Sequence, residues 1–394
     1  MAKRVWILGA GFSRPLGGPL LPDLMRPEVK ENLAATYPEA PYRKGDDGLH
    51  DLVLRLYGHG SKYQQGKFNN MLTSEGENIW ADAEQFLDYL DTAVAGGPSS
   101  PAFKRLSMVV DMVANRFRLG TDSVKQVLRL SRAAKRLVAG TCSAFLAGAD
   151  PNTERWEPYV KWAKTLGSND TIITFNYDCV LELLNTQSKN IHVVRLGGDP
   201  GAPGCARLLK LHGSVNWMIS GLASDKLALP KGGEQIQVLP QSDFDFSLKC
   251  EDHELAIASP GPIKKAVSAG WLAELWDIAA RAIEEADAVV FIGYRFPPSD
   301  SHARQRLLSA LTRNSRPYLA VHTVLGLQSP DTPRLTQLLR FALSHRDPQP
   351  AGQRPDRDPS LRRYTLANHP LYGEDFLSVF PEGWLTEAYL IRHG

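Results

Sequence analysis

Residues 5–8, Val-Trp-Ile-Leu, form an uninterrupted apolar run that stops at Gly9-Ala10-Gly11. A strand without polar alternation is buried on both faces, and a glycine turn at its carboxyl end is the usual opening of a parallel α/β sheet. Runs of the same kind recur much later: TIITF from Thr171, HVVRL from His192, RLLKL from Arg207, LAIAS from Leu255, AVVFIG from Ala288 and YLAVHTV from Tyr318. Between the first run and Thr171 the pattern changes. ENIWADAEQFLDYLDTAVA, PAFKRLSMVVDMVANRFRL, SVKQVLRLSRAAKRLVAGTCSAFL and TERWEPYVKWAKTL carry apolar residues at three- and four-residue intervals, which marks amphipathic helices. The expected architecture is α/β: a Rossmann-like parallel sheet with an inserted helical lobe at about residues 40–168.

Residues 1–343 read as one body. Residues 344–363 are rich in proline, glycine and charge and read as a flexible linker or surface loop. Residues 364–394 are aromatic, include Trp384, and are expected to pack back on the body. GGPSSP from Gly96 is a break between helices, and the chain has no internal repeat or heptad run.

Composition narrows the partners. Over 394 residues, 45 basic side chains against 43 acidic ones leave a net charge of +2, so neither nucleic acid nor an anionic membrane is expected as a direct partner. Cys142, Cys179, Cys205 and Cys250 make no C-x-x-C pair, which argues against a zinc knuckle and fits reduced thiols in a cytoplasmic protein. The start, MAKRVWILGAGFSRP, has a basic end and an apolar stretch, but the stretch is short, holds glycines and meets Arg14-Pro15 without a cleavage site, so it does not read as a signal peptide. The stretch LVAGTCSAFLAGA from Leu137 falls short of the roughly 18 residues that span a bilayer.

Four strand ends carry chemistry. Gly9, Ala10, Gly11, Phe12 and Ser13 follow the first strand, where missing side chains let backbone approach a pyrophosphate and the Ser13 hydroxyl can satisfy its oxygens. Alone, this turn also serves tight strand-to-loop geometry, and Arg14 stands where a dehydrogenase fingerprint needs its third glycine. Asn176-Tyr177-Asp178 follow TIITF and could equally cap a helix. His212-Gly213 end RLLKL, where a histidine is a base or a packing residue. Gly293-Tyr294 end AVVFI, and Ser299 or Asp300 can cap the helix that follows. Other constellations fail: GSKYQQGKF from Gly60 has the wrong spacing for a phosphate loop, SDFDF from Ser242 lacks the ligands of a calcium loop, and Asp82, Glu84, Asp88 and Asp91 read as a solvated helix face from which Glu84 alone could reach a cleft.

Taken in order, the four strand ends resemble the sirtuin-like family. The family pattern is G-A-G-x-S with a following G-x-P, then T-x-N-x-D, then H-G, then a glycine turn after a late strand. The matching residues are Gly9 to Ser13 with Gly17-Gly18-Pro19, Thr174 to Asp178, His212-Gly213, and Gly293. Two departures matter. Deacetylating sirtuins continue G-x-P with Asp-Phe-Arg, where this chain has Leu20-Leu21-Pro22, and they carry two C-x-x-C pairs after His-Gly, where SVNWMISGLASDKLALPKGGEQ has no cysteine. No zinc site is expected from such ligands. With the N-Y-D form and the helical insert, the chain looks like the bacterial sirtuin-like NADases of antiviral defence.

That resemblance implies an NAD hydrolase that releases nicotinamide and ADP-ribose and depletes NAD in abortive infection. By the same resemblance Gly9 to Ser13 hold the pyrophosphate and nearby ribose, Asn176 the nicotinamide ribose and attacking water, and His212 is the base. Asp178 orients the loop or the nicotinamide amide, and Gly293 and Tyr294 flank the adenosine. NAD is then a substrate and no metal is required. The alternatives are a silent module that senses NAD or ADP-ribose, and a zinc-free deacylase. The family also implies a homo-oligomer with a separate protein partner, a ring-forming DNA-translocating ATPase or an Argonaute-type protein; the residues do not choose between these.

Overall fold

A computed structural model of the chain describes residues 2–26, 28–36, 49–61, 83–117, 123–219, 236–238, 255–257, 272–297, 300–346 and 363–380. Its strands are β1 (Arg4–Leu8), β2 (Asp170–Thr174), β3 (Ile191–Val193), β4 (Ala206–Lys210), β5 (Gly213–Ile219), β6 (Ile236–Val238), β7 (Leu255–Ile257), β8 (Ala288–Ile292), β9 (Tyr318–Val324) and β10 (Arg363–His369). Its helices are α1 (Ala10–Ser13), α2 (Val29–Thr36), α3 (Leu49–Ser61), α4 (Ala83–Gly96), α5 (Pro101–Phe117), α6 (Ser123–Ala144), α7 (Glu157–Lys164), α8 (Val180–Ser188), α9 (Ala273–Glu284), α10 (Ser301–Thr312), α11 (Thr332–Ser344) and α12 (Gly373–Val379).

Seven strands lie in the order β10-β9-β8-β1-β2-β4-β3, and every neighbouring pair is parallel. The α/β, Rossmann-like expectation holds. From β1 the chain builds outward through β2, β4 and β3, then returns to lay β8, β9 and β10 on the other side. The direction of growth reverses beside β1, and such a reversal opens a crevice at the carboxyl ends of the strands.

Alternate residues of each strand enter different cores, as a period of two requires. Trp6, Leu8, Ile172, Leu208, Val290 and Ile292 face the helical lobe, where they join Leu52, Phe86, Leu90, Leu106 and Leu130 in one apolar cluster. Val5, Ile7, Ile173, Leu209, Val289 and Phe291 face the opposite way, onto Leu275 and Trp276 of α9, Leu307 of α10 and Leu339 of α11. Each such side chain contributes about 1.5–3 kcal/mol by leaving water. At the amino end of the sheet Asp170 ties β1 to β2: Arg4 Nε and Trp6 Nε1 both donate to Oδ1, at 2.7 and 3.0 Å.

Some elements differ from the sequence reading. LAIAS was expected among the parallel strands, but β7 pairs antiparallel with β5 in a separate three-stranded sheet, β6-β5-β7. A short apolar run states that a strand is buried and says nothing of which partner buries it. Arg363–His369, expected only to pack on the body, is the parallel edge strand β10 beside β9, and α12 then packs against α7 and α1. Most of 344–363, the stretch 381–394 with Trp384, the phosphate-loop-like residues 62–68, SDFDF, Cys250 and Ser299 lie outside the described residues. No helix among the described residues is long and apolar enough to cross a membrane.

The reversal point depends on three glycines. The Gly9 amide donates to the Ile292 carbonyl at 3.0 Å, and the Gly11 amide to the Gly293 carbonyl at 3.4 Å. Gly293 sits at φ +65°, and a Cβ there would overlap the Gly11 Cα; one on Gly11 would lie 2.7 Å from the Gly293 Cα, and one on Gly9 2.6 Å from the Gly293 oxygen. Gly148 has a similar φ, +73°, with nothing within 4 Å of its would-be Cβ. Gly148→Ala should therefore lose only the about 1–2 kcal/mol of left-handed strain, whereas Gly293→Ala should lose clearly more in urea unfolding. Equal losses would show that the glycine contact is not sterically demanding.

Candidate active site

The crevice beside β1 is a cavity of about 380 Å³. Gly9, Ala10 and Gly11 from the end of β1, Asn176 and Asp178 after β2, His212 after β4, and Gly293 and Tyr294 after β8 all line it. Phe12 and Ser13, expected beside them, do not. Phe12 turns into the core edge-on to Tyr159 and Trp162, at centroid distances of 5.2 and 5.5 Å, and is 1% exposed. One helical turn, α1, starts at Ala10, so successive side chains rotate away from the crevice. One side of the remaining wall is apolar, with Pro19, Leu20, Pro22 and Leu24, and Leu21 opening a short 3-10 turn; Arg295, Asp300 and Asp331 add charge elsewhere. The helical lobe adds Glu84 of α4 and Cys142 of α6. The acidic cluster is thus not a solvated face. Asp91 is buried and accepts from Ser131 Oγ at 2.8 Å and Lys135 Nζ at 3.0 Å; Asp82 lies outside the described residues.

Beneath the cavity floor a polar chain fixes Asn176. Its Nδ2 donates to the Gly9 carbonyl and to Ser13 Oγ, both at 3.0 Å, which commits both amide hydrogens and leaves Oδ1 as the acceptor for a ligand. Ser13 Oγ in turn donates to Asp178 Oδ2 at 2.7 Å, and the Val180 amide donates to Oδ1 at 3.1 Å. The Ser13 hydroxyl was expected to meet phosphate oxygens; in the structure it instead couples the first loop to the second. Burial pushes the Asp178 carboxyl above the usual carboxylate range, against the pull of nearby Lys210. The Lys210 Nζ donates to the Asp178 carbonyl at 2.6 Å and to Glu182 Oε1 at 2.8 Å. Burial, the largest single influence, would lower the lysine pKa, but Glu182, Cys179 and Asp178 together outweigh it and the ammonium is favoured.

His212 is 2% exposed and precedes Gly213, whose φ of +78° turns the chain from β4 into β5. Its ring meets the edge of Phe175 at 4.9 Å, and Phe175 stacks on Tyr294 at 4.1 Å and 13°. Its Nε2 lies 3.4 Å from Asp300 Oδ2, which accepts the Tyr294 hydroxyl at 2.9 Å. Burial, and then the Asp300 charge, push the Tyr294 phenol well up, so it stays a donor. Burial raises the Cys142 thiol as well, which leaves it an inert wall rather than a nucleophile. Among the described residues no His, Cys, Asp and Glu cluster is placed to hold a metal ion. Sequence reasoning missed Lys210 and Glu182, because a lysine inside RLLKL is indistinguishable from an outward-facing one until its partner is known.

The Lys210–Glu182 pair is fully buried, at 0% and 1% side-chain exposure. Lys210→Met leaves a buried carboxylate without its cation and should destabilise by about 3–5 kcal/mol, and adding Glu182→Leu should recover most of it. Denaturant unfolding of both variants checks this. A double variant no more stable than the single one would mean that charge is not what holds this floor.

Among curated proteins none matches the chain. Residues 170–343 do match the family model of the SIR2-like domain. The matched span runs from β2 to α11 and contains Asn176, Asp178, His212, Gly293 and Asp300; the Gly9–Ser13 loop lies before it. Over those residues the chain is similar to the SIR2-like domain, and the span includes three of the four strand ends gathered on the cavity.

Proposed function

We propose that the chain is an NAD hydrolase that cleaves the bond between nicotinamide and ribose. The observation that carries this reading is the meeting of a side-chain-free backbone turn, a fixed asparagine and a buried histidine on one cavity at the switch point of the sheet. A SIR2-like domain points to NAD as the ligand. Gly9 to Gly11 and Gly293 offer close backbone approach to a dinucleotide. Asn176, locked through Nδ2, presents Oδ1 to a ribose hydroxyl or to water.

In the reaction the C1′–N bond breaks and its electron pair leaves with nicotinamide, a good leaving group that needs no general acid. The ribose passes through an oxocarbenium-like state, as in glycoside hydrolysis. Water adds to C1′, and His212 takes the proton released, from the water itself or through a ribose hydroxyl. The products are nicotinamide, ADP-ribose and a proton. Leu20, Leu21 and Pro22 in place of Asp-Phe-Arg, together with the cysteine-free stretch from Ser214 to Gln235, favour hydrolysis over transfer of an acyl group from a peptide. By resemblance, we assign the activity to NAD depletion in antiviral defence.

Purified protein incubated with NAD should release nicotinamide and ADP-ribose without an acylated peptide, as followed by chromatography. His212→Ala and Asn176→Ala should each lower turnover by about 10²–10⁴ while remaining folded. Wild-type turnover in either variant, or release that requires an acylated peptide, overturns the mechanism. Binding of NAD without cleavage would favour the sensing module instead.

A cytoplasmic NADase that was always active would exhaust its own cell, so we further propose that activity is latent and that assembly, as a homo-oligomer with a separate protein partner, switches it on. Turnover should then rise with protein concentration or on adding the product of the adjacent gene, with mass in solution rising in step. A monomer with full, concentration-independent turnover that ignores that product refutes latency.

A further inference from the structure

Asp300 occupies the N-cap position of α10, where an aspartate ordinarily accepts a hydrogen bond from the first turn of its own helix. Its side chain makes no such bond. The residue is 1% exposed, and its carboxylate turns into the cavity wall, with Oδ2 accepting the Tyr294 hydroxyl at 2.9 Å and lying 3.4 Å from His212 Nε2. An aspartate that forgoes its local bond and is buried next to an imidazole has a distant purpose. The other titratable groups on the cavity are Glu84 from α4, Cys142 from α6, Tyr177 and Asp178 after β2, Arg295 after β8, and Asp331 before α11.

We propose that Asp300 is the positioning residue of His212. The neutral imidazole carries its proton on Nε2, facing the carboxylate, and the imidazolium formed when His212 takes up a proton is stabilised by the charge 3.4 Å away. The Tyr294 hydroxyl fixes the carboxylate rotamer, and Phe175, stacked on Tyr294, packs against the imidazole ring. Asp300 thus raises the basicity of His212 through its charge, and no bond of the substrate is made or broken at it. The inference rests on the proposed role of His212 as a base, but its geometry is testable without any turnover.

The first measurement is the tautomer of neutral His212 in the wild-type protein, by ¹⁵N chemical shifts of histidine-labelled protein with His212→Gln for assignment. The Nε2–H form is expected, and the Nδ1–H form overturns the proposal whether or not the protein cleaves NAD. The second is the His212 titration in Asp300→Asn, which keeps the shape and an acceptor for Tyr294 but removes the charge. Loss of an opposite charge this close should lower the imidazole pKa by about one to three units. If the protein cleaves NAD, the acid limb of kcat against pH should move down by the same amount and the plateau should fall, with KM for NAD little changed. An unmoved titration refutes the pairing. A moved titration with an unmoved rate profile leaves the pairing standing and refutes instead His212 as the base.

Discussion

The contact between Gly9, Gly11 and Gly293 is the constraint on which the rest of the structure depends. It brings the ends of β1 and β8 together at backbone distance, and only backbone fits there. A parallel sheet whose growth reverses beside its first strand would otherwise splay at that point, because the loops leaving the two strands diverge toward opposite layers. Here the loops are pinned to one another before they diverge. The crevice keeps a floor, and residues from four strand ends share one coordinate frame.

On that floor the chain places two buried charged systems rather than apolar packing. Lys210, Glu182, Asp178 and Ser13 link the ends of β1, β2 and β4, and Asp300 and Tyr294 reach from beyond β8 to His212 at the end of β4. Each system ends on a residue with proposed chemistry, the first on Asn176 and the second on His212. Buried polar groups are costly unless satisfied, and a satisfied network holds its members to one geometry. The amide and the imidazole are thus both held by neighbouring side chains of the same cavity.

How much of this could be read from the residues follows from the range of each signal. The strands announced themselves as apolar runs, and their ends as glycine, Asn-Tyr-Asp or His-Gly, since burial and turn geometry are written locally. What escaped depends on partners far along the chain. Asp300 looked like a helix cap because every local cue for a cap is present; its turn toward His212 is decided in three dimensions. Ser13 looked like a phosphate ligand until Asp178 and Asn176 claimed its hydroxyl. Asp91 looked solvated until Ser131 and Lys135 met it across the lobe. LAIAS was legible as a strand and illegible as a member of the wrong sheet, and β10 carries too many polar residues for its run to stand out.

The central position of β1 sets the order of events during synthesis. The strand ends at Leu8, yet its neighbours are β2, beginning at Asp170, and β8, beginning at Ala288, both made long after it. At about 5–20 residues per second the second neighbour leaves the ribosome some 15–60 s after the first strand. Until β2 is made, Val5, Trp6, Ile7 and Leu8 are a nascent apolar segment without a sheet to join, and until β8 is made one edge of β1 stays unpaired. Non-local pairings of this kind fold slowly and expose sticky surface meanwhile. Hence the ligand crevice forms only once β8 has been made, and a ribosome-bound chain interrupted before residue 288 would hold the helical lobe, half a sheet and no site.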